Sequence, residues 1–163
     1  MGGNSMSLSN TVLNPKVTSP YGWRYIFGSW QFHNGIDYVS EGDEGAANWQ
    51  GSREVYAIAD GTVIFDYDVW VPGDTSAQGS GGNMLIIKHV IDGVVYFVRY
   101  LHLATNYVRL NQEVKKGEGI GNFKISAGLS TGPHLHLDVY NAAWQNIDPL
   151  PLLRSGGVIV DPK

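Results

Sequence analysis

Along residues 132–140, GPHLHLDVY, side chains alternate with a period of two. On an extended strand His134, His136, Asp138 and Tyr140 then share one face, while Leu135, Leu137 and Val139 fill the other. NMLIIKHV and VVYFVRYLHL have the same strand character and are joined by Asp92-Gly93, a hairpin turn. In the second of these, alternation puts Val94, Tyr96, Val98, Tyr100 and His102 on one face. VYAIADGTVIFDYDVW reads as two further strands joined at an Asp60-Gly61 turn. Pro20 and Gly22 give SPYGWRY turn chemistry where the folded part opens. VSEGDEGAANWQGSREV reads as a long loop, and residues 71–82, VPGDTSAQGSGG, as the most flexible segment, placed in solvent. LNQEVKKGEGIG has the charges and glycines of a turn between short strands.

No segment carries a long amphipathic helical period. The fold class is therefore mostly β, an antiparallel sandwich or barrel, with a short irregular tail after Asp148-Pro149. The expected layout is a flexible N-terminal segment over residues 1–14, one domain over 15–153 and a C-terminal tail over 154–163.

Composition narrows what such a domain can do. Its 163 residues suffice for one buried core. The 21 glycines and 12% aromatics suit short strands packed by rings and joined by turns. No apolar run is long enough to span a bilayer, and a net charge of −4 gives no electrostatic case for nucleic acid or an anionic membrane. Cysteine is absent, which removes disulfides, thiolate catalysis and cysteine zinc sites together. Any metal must be held by His, Asp or Glu. MGGNSMSLSNTVLN lacks the basic and apolar regions of a secretory signal, which does not place the protein in the cytoplasm.

Histidines stand at positions 33, 89, 102, 134 and 136. In HNGIDY, His33 precedes Asp37 by four, a spacing that keeps both on one face of a strand and equally of a helix. Gly35 between them permits close approach of a backbone or a substrate. Imidazole and carboxylate are zinc donors, and a catalytic zinc takes three protein ligands and leaves a position open for water. The ion lowers the pKa of that water to roughly 7. A His-x-x-x-Asp is weak by itself; together with a His-x-His strand in a cysteine-free domain it points to metal, and the pair offers two candidates for the third ligand.

The ordered set SPYGWRY, FHNGIDY, VYAIADGTV, GGNMLIIKH, RYLHL, VKKGEGIGNF, STGPHLHLDVY and IDPLPLL resembles the lysostaphin-like (LytM-type) zinc metalloendopeptidases, which cut bacterial peptidoglycan. The resemblance runs from about residue 20 to 153. It implies the duplicated hybrid motif, a β-rich fold whose antiparallel sheet floors a groove, and one Zn²⁺ per chain. It further implies that His33, Asp37 and His136 are the metal ligands and that His102 and His134 are catalytic histidines acting on water or the oxyanion. Tyr25 lies near where some members direct a tyrosine hydroxyl at the oxyanion. Asp138 stands where the family commonly has Glu, as a partner that orients an imidazole. His89 and Arg24 match positions read as structural or groove-supporting, and Trp23, Trp30, Trp49 and Trp70 are candidates for groove or core.

The expected activity is metal-assisted hydrolysis of a peptide bond in a stem peptide or cross-bridge, by a monomer working outside the cell, in the periplasm or in the wall. A non-catalytic wall-binding or regulatory relative is the alternative. A glycan-binding β domain is a third reading that needs neither zinc nor the histidine pair. The loops after Asp37 and after DGTV are longer than the family's usual connections, so they bear on which bond fits.

Overall fold

Alternation of buried and open positions carries through the central strands. The computed structural model describes residues 7–76 and 79–158. In chain order the strands are β1 (Pro15–Ser19), β2 (Gly22–Ile26), β3 (Ser29–His33), β4 (Ile36–Ser40), β5 (Glu54–Tyr56), β6 (Gly61–Tyr67) and β7 (Asn83–Ile91). They continue as β8 (Val94–Leu103), β9 (Thr105–Asn106), β10 (Glu113–Val114), β11 (Gly119–Asn122), β12 (Leu135–Asn141) and β13 (Asn146–Ile147), before the helix α1 (Leu150–Ser155).

Among the described residues the main sheet runs β1-β4-β12-β8-β7-β6-β10, with β13 on β12, and its pairings are antiparallel. β5, β11 and β9 form a second sheet and β2–β3 a separate hairpin. The fold is mostly β, as expected, with open sheets rather than a closed barrel. Leu85, Ile87 and Ile91 of β7 and Leu135, Leu137 and Val139 of β12 point inward. They join Val55 and Ile120 of the second sheet and Leu152 and Leu153 of α1 in one buried cluster. Asp92 and Gly93 both adopt positive φ, 53° and 78°, the two-residue hairpin turn read from the sequence.

Four expectations need correction. Asp60-Gly61 does not join a hairpin, because β5 pairs with β11 while β6 pairs with β7 and β10. Gly61 is needed for closeness: a Cβ there would meet the Lys88 carbonyl oxygen at 2.6 Å. Just before β1, residues 8–12 are packed rather than loose, with Thr11 and Val12 buried and the Ser9 amide bonded to Ile58 O. At the other end α1 and Val158 join the core where an irregular tail was expected. The loop over 71–82 is only partly in solvent: Trp70 before it is buried, and Ser80 O and Gly81 O accept the amides of Leu129 and His102. Residues 1–6, 77–78 and 159–163 lie outside the described residues.

Candidate active site

The outward face of the main sheet collects the polar residues. Antiparallel register sets Asp37 of β4 directly opposite His136 of β12, and Arg99 of β8 directly opposite Asp138. Directly opposed residues share a face, so the four lie together. His33 comes from elsewhere. It ends β3, and Asn34-Gly35 turns the chain into β4, so His33 and Asp37 do not share one strand as their spacing suggested. Gly35 lets β12 approach, because a Cβ there would lie 2.3 Å from Leu137 O and 2.8 Å from His136 Nε2. The close approach allowed by this glycine is to protein backbone.

His102 reaches the same cluster by a break in its strand. Alternation from the buried Tyr100 would send it into the core. Between the pairs Asn83–Leu103 and Leu85–Tyr100, however, Leu101 and His102 together oppose Met84, an extra residue in β8. His102 takes φ 63°, its amide bonds Gly81 O at 2.6 Å, and its ring turns out to lie 4.9 Å from that of His134. This bulge re-aims the side chain, and the shared face read for Val94 through His102 ends at Tyr100.

Hydrogen bonds fix which nitrogen of each ring is free. His33 Nδ1 donates to Pro20 O at 2.8 Å, leaving Nε2 with the lone pair. His136 Nε2 donates to Asp138 Oδ2 at 2.9 Å, leaving Nδ1. Those inner nitrogens lie 3.2 Å apart, and Asp37 Oδ1 is 3.3 Å from the first and 3.0 Å from the second. Among the described residues, His33, Asp37 and His136 are the group whose ligand atoms converge in this way, all within 4.8 Å. Tetrahedral zinc with bonds of about 2.0–2.1 Å separates its donors by about 3.3 Å. The donor set and its spacing therefore fit a small divalent ion.

Electrostatics point the same way. Burial works against the Asp37 charge, yet His134, His136 and His33, gathered around its carboxyl, hold it far below the usual range. Burial likewise opposes charge on His136, but Asp138 and Asp37 raise it to about 9 in the metal-free protein. The cluster thus calls for a cation, a proton when no metal is bound. Asp138 is buried, which alone would raise its carboxyl; His136 and a two-pronged contact from Arg99, at 2.7 and 2.8 Å, hold it down.

Two more imidazoles stand beside the triad. His102 Nδ1 donates to Ala127 O at 2.8 Å, and burial, then the neighbouring His134, lower its pKa to about 4. His134 Nδ1 donates to Gly132 O at 2.9 Å, and its Nε2 is 3.5 Å from Asp37 Oδ1. A groove of about 430 Å³ runs alongside, bordered by residues 24–26, 43–45 and 131–134 and by Asp37.

The other candidates fall elsewhere. Tyr25 borders the groove, but its ring packs on Trp30 at 5.5 Å, on the hairpin face with Trp23 and Phe32, opposite Arg24 and His33. The structure does not bring it into the histidine cluster. His89 is fully buried on the core side, and Trp49 stacks on Arg53. Sequence reasoning missed Arg99, whose role follows from strand register, and the carbonyls of Ala127 and Gly132 that orient the two rings.

The antiparallel β fold thus brings together a His-Asp-His triad able to hold a divalent ion and two further histidines, with a groove alongside. The chain belongs to peptidase family M23, whose description matches residues 31–149. It is similar to the DD-carboxypeptidase/endopeptidase Mpg of Neisseria meningitidis serogroup B, 35% identical over 125 residues, 76% of this chain and 24% of that protein. The chain thus spans about a quarter of the length of the curated relatives it matches. Among solved structures, the catalytic domain of the antimicrobial peptidase lysostaphin from Staphylococcus simulans aligns with a TM-score of 0.62 at 28% identity, over 86% of this chain and 93% of that one. A zinc containing peptidase from Vibrio cholerae aligns at 0.59 and 26% identity, over 96% of this chain and 40% of that one.

Proposed function

We propose that this chain is a zinc-dependent endopeptidase that hydrolyses peptide bonds of bacterial peptidoglycan, in stem peptides or cross-bridges. The observation that carries the proposal is the convergence of His33 Nε2, Asp37 Oδ1 and His136 Nδ1, electron-pair donors with no proton of their own to share once both imidazoles are neutral. Two imidazoles and a carboxylate suit zinc, with one ion per chain. Bound there, zinc supplies Lewis acidity toward a carbonyl oxygen and makes water in the site a stronger acid.

The remaining work belongs to the protein's own side chains. Pro20 O and Asp138 hold the two ligand imidazoles in the tautomers that present their inner nitrogens. His102 and His134, each anchored through Nδ1, keep Nε2 for substrate. A proton taken from the attacking water and returned to the leaving amine passes through these atoms, and the protonated ring stabilises the oxyanion. The substrate sets the place of action outside the cytoplasmic membrane.

The test has two parts. Purified protein should carry about one zinc per chain. Incubated with isolated peptidoglycan, it should release new amino termini, and their identity names the bond. Protein that holds zinc yet releases none from walls of differing chemistry is instead a non-catalytic, wall-binding relative.

A further inference from the structure

The β2–β3 hairpin joins neither larger sheet, and its two faces differ in kind. On one, Arg24 and His33 turn toward Asp37, 3.9 and 3.3 Å away. On the other, every position of the two strands is aromatic, with Trp23 opposite Phe32 and Tyr25 opposite Trp30. The pairs meet edge to face at 5.3 and 5.5 Å, and the four rings remain 46–69% exposed. Smaller β-branched pairs would hold such a hairpin together. An apolar patch left this open marks an interaction surface. The face carries no acid or base other than the Tyr25 phenol, so it offers a phosphate or a carboxylate no counter-charge. Ring faces carry negative π density and draw positively polarised C–H groups. A pyranose with equatorial substituents presents such groups on both sides of its ring. Successive rings along one strand stand about 6–7 Å apart, a spacing that suits successive sugars.

We propose, on the basis of the endopeptidase reading above, that this face is a second, glycan-binding site that stacks on the N-acetylated sugars of the wall strand. A muramyl sugar bearing a stem is neutral, since its acid is taken up in the amide bond to the peptide, and this matches the uncharged face. Position supports the same occupant. Tyr25 and Ile26 border the groove, and Phe32 is next in the chain to the triad residue His33. A stem peptide lying in the groove, at up to about 3.3–3.6 Å per residue, passes the edge of the hairpin within a few residues. Holding the glycan raises the local concentration of stems at the groove and takes no part in the chemistry.

The probe is a soluble β-1,4-linked N-acetylglucosamine oligosaccharide, titrated by calorimetry into the purified protein. Wild type should bind it. Trp23→Ser and Trp30→Ser should each weaken binding by about 2- to 10-fold, and the double variant further still. Both side chains are largely exposed, and zinc content equal to wild type checks that the variants are folded. The rate on intact walls, relative to that on a soluble wall peptide, should fall by about 10-fold or more in the double variant. No binding by wild type, or unchanged affinity in the double variant, overturns the site. A face that holds phosphatidylcholine vesicles or a second copy of the chain, and no sugar, overturns it as well. Sugar binding in a protein that cuts no wall upholds the site and removes the endopeptidase; cleavage without sugar binding does the reverse.

Discussion

The two faces of the central sheet treat buried histidines in opposite ways. On the core face, His89 is fully buried with both nitrogens satisfied. Nδ1 donates to Asp60 O at 2.9 Å, and Nε2 faces the Tyr100 hydroxyl at 3.0 Å. Burial raises the pKa of Tyr100, so its hydroxyl keeps the proton it donates to His89. On the outward face, His33 and His136 are nearly as buried, at 5% and 7%; Pro20 O and Asp138 hold their outer nitrogens, while the inner ones converge on the Asp37 carboxylate. Their inner lone pairs face each other and a carboxylate. A closed network is structure; an open one asks for an ion. Burial and residue type are shared, so the difference lies in what faces the second nitrogen.

That contrast is broken most sharply by removing one ring at a time. His136→Ala should lose the bound metal, and with it the activity. His134→Ala should keep the metal while kcat/KM falls by about 10²–10⁴-fold, the usual worth of a positioned acid or base. Metal analysis and wall-peptide hydrolysis on the same samples check both. If both variants bound zinc like wild type, the division of labour within the His-x-His pair would be wrong.

The core-face histidine should respond in stability and not in metal binding. Burial holds its pKa near 4, against the ordinary 6.5. Between those values the unfolded chain binds a proton that the folded chain refuses. Stability from this group is therefore complete above about pH 6.5 and falls as pH drops toward 4, by about 3 kcal/mol. His89→Gln should lose this part of the acid dependence, seen as the difference between the two proteins' denaturation curves across pH. Its zinc affinity should stay that of wild type, and a drop would mean that the two faces are coupled.

A smaller effect is expected one contact behind the metal. Asp138→Asn or Arg99→Met should weaken zinc binding by about 10- to 100-fold, the range for partners that orient a ligand imidazole. Competition with a chelator measures this without any turnover. Since Arg99 acts through Asp138, the double variant should be little worse than Asp138→Asn alone. Additive losses would show Arg99 acting by another route.

Much of the outward face was legible in the sequence, because a period of two is a local property. GPHLHLDVY alone separated Leu135, Leu137 and Val139 from His136 and Asp138, and the structure buries the first three completely. The same rule failed at His102, whose direction depends on a bulge held by Gly81 O, a partner twenty-one positions back in the chain. It failed again at Asp60-Gly61, where a good turn dipeptide connects two sheets because β5 finds its partner in β11. Arg99 was invisible for a related reason. Nothing in its neighbourhood marks it until the register of β8 against β12 is known.

The smallest expected effect concerns Tyr25, which its place in the chain put near the oxyanion. On a two-stranded hairpin, neighbours along a strand face opposite ways. Arg24 and His33 turn toward the triad, so Tyr25 turns with Trp23, Trp30 and Phe32 toward solvent, 63% exposed. Removing its hydroxyl in Tyr25→Phe keeps the ring packed on Trp30 and should change kcat/KM by no more than about twofold, as for a surface substitution. Steady-state rates on a wall peptide test this. A loss of tenfold or more, with zinc content unchanged, would mean that the hairpin rotates about Asn34-Gly35 when substrate enters, carrying the hydroxyl inward. The same rotation would move His33, so zinc affinity would then differ between free and substrate-bound protein.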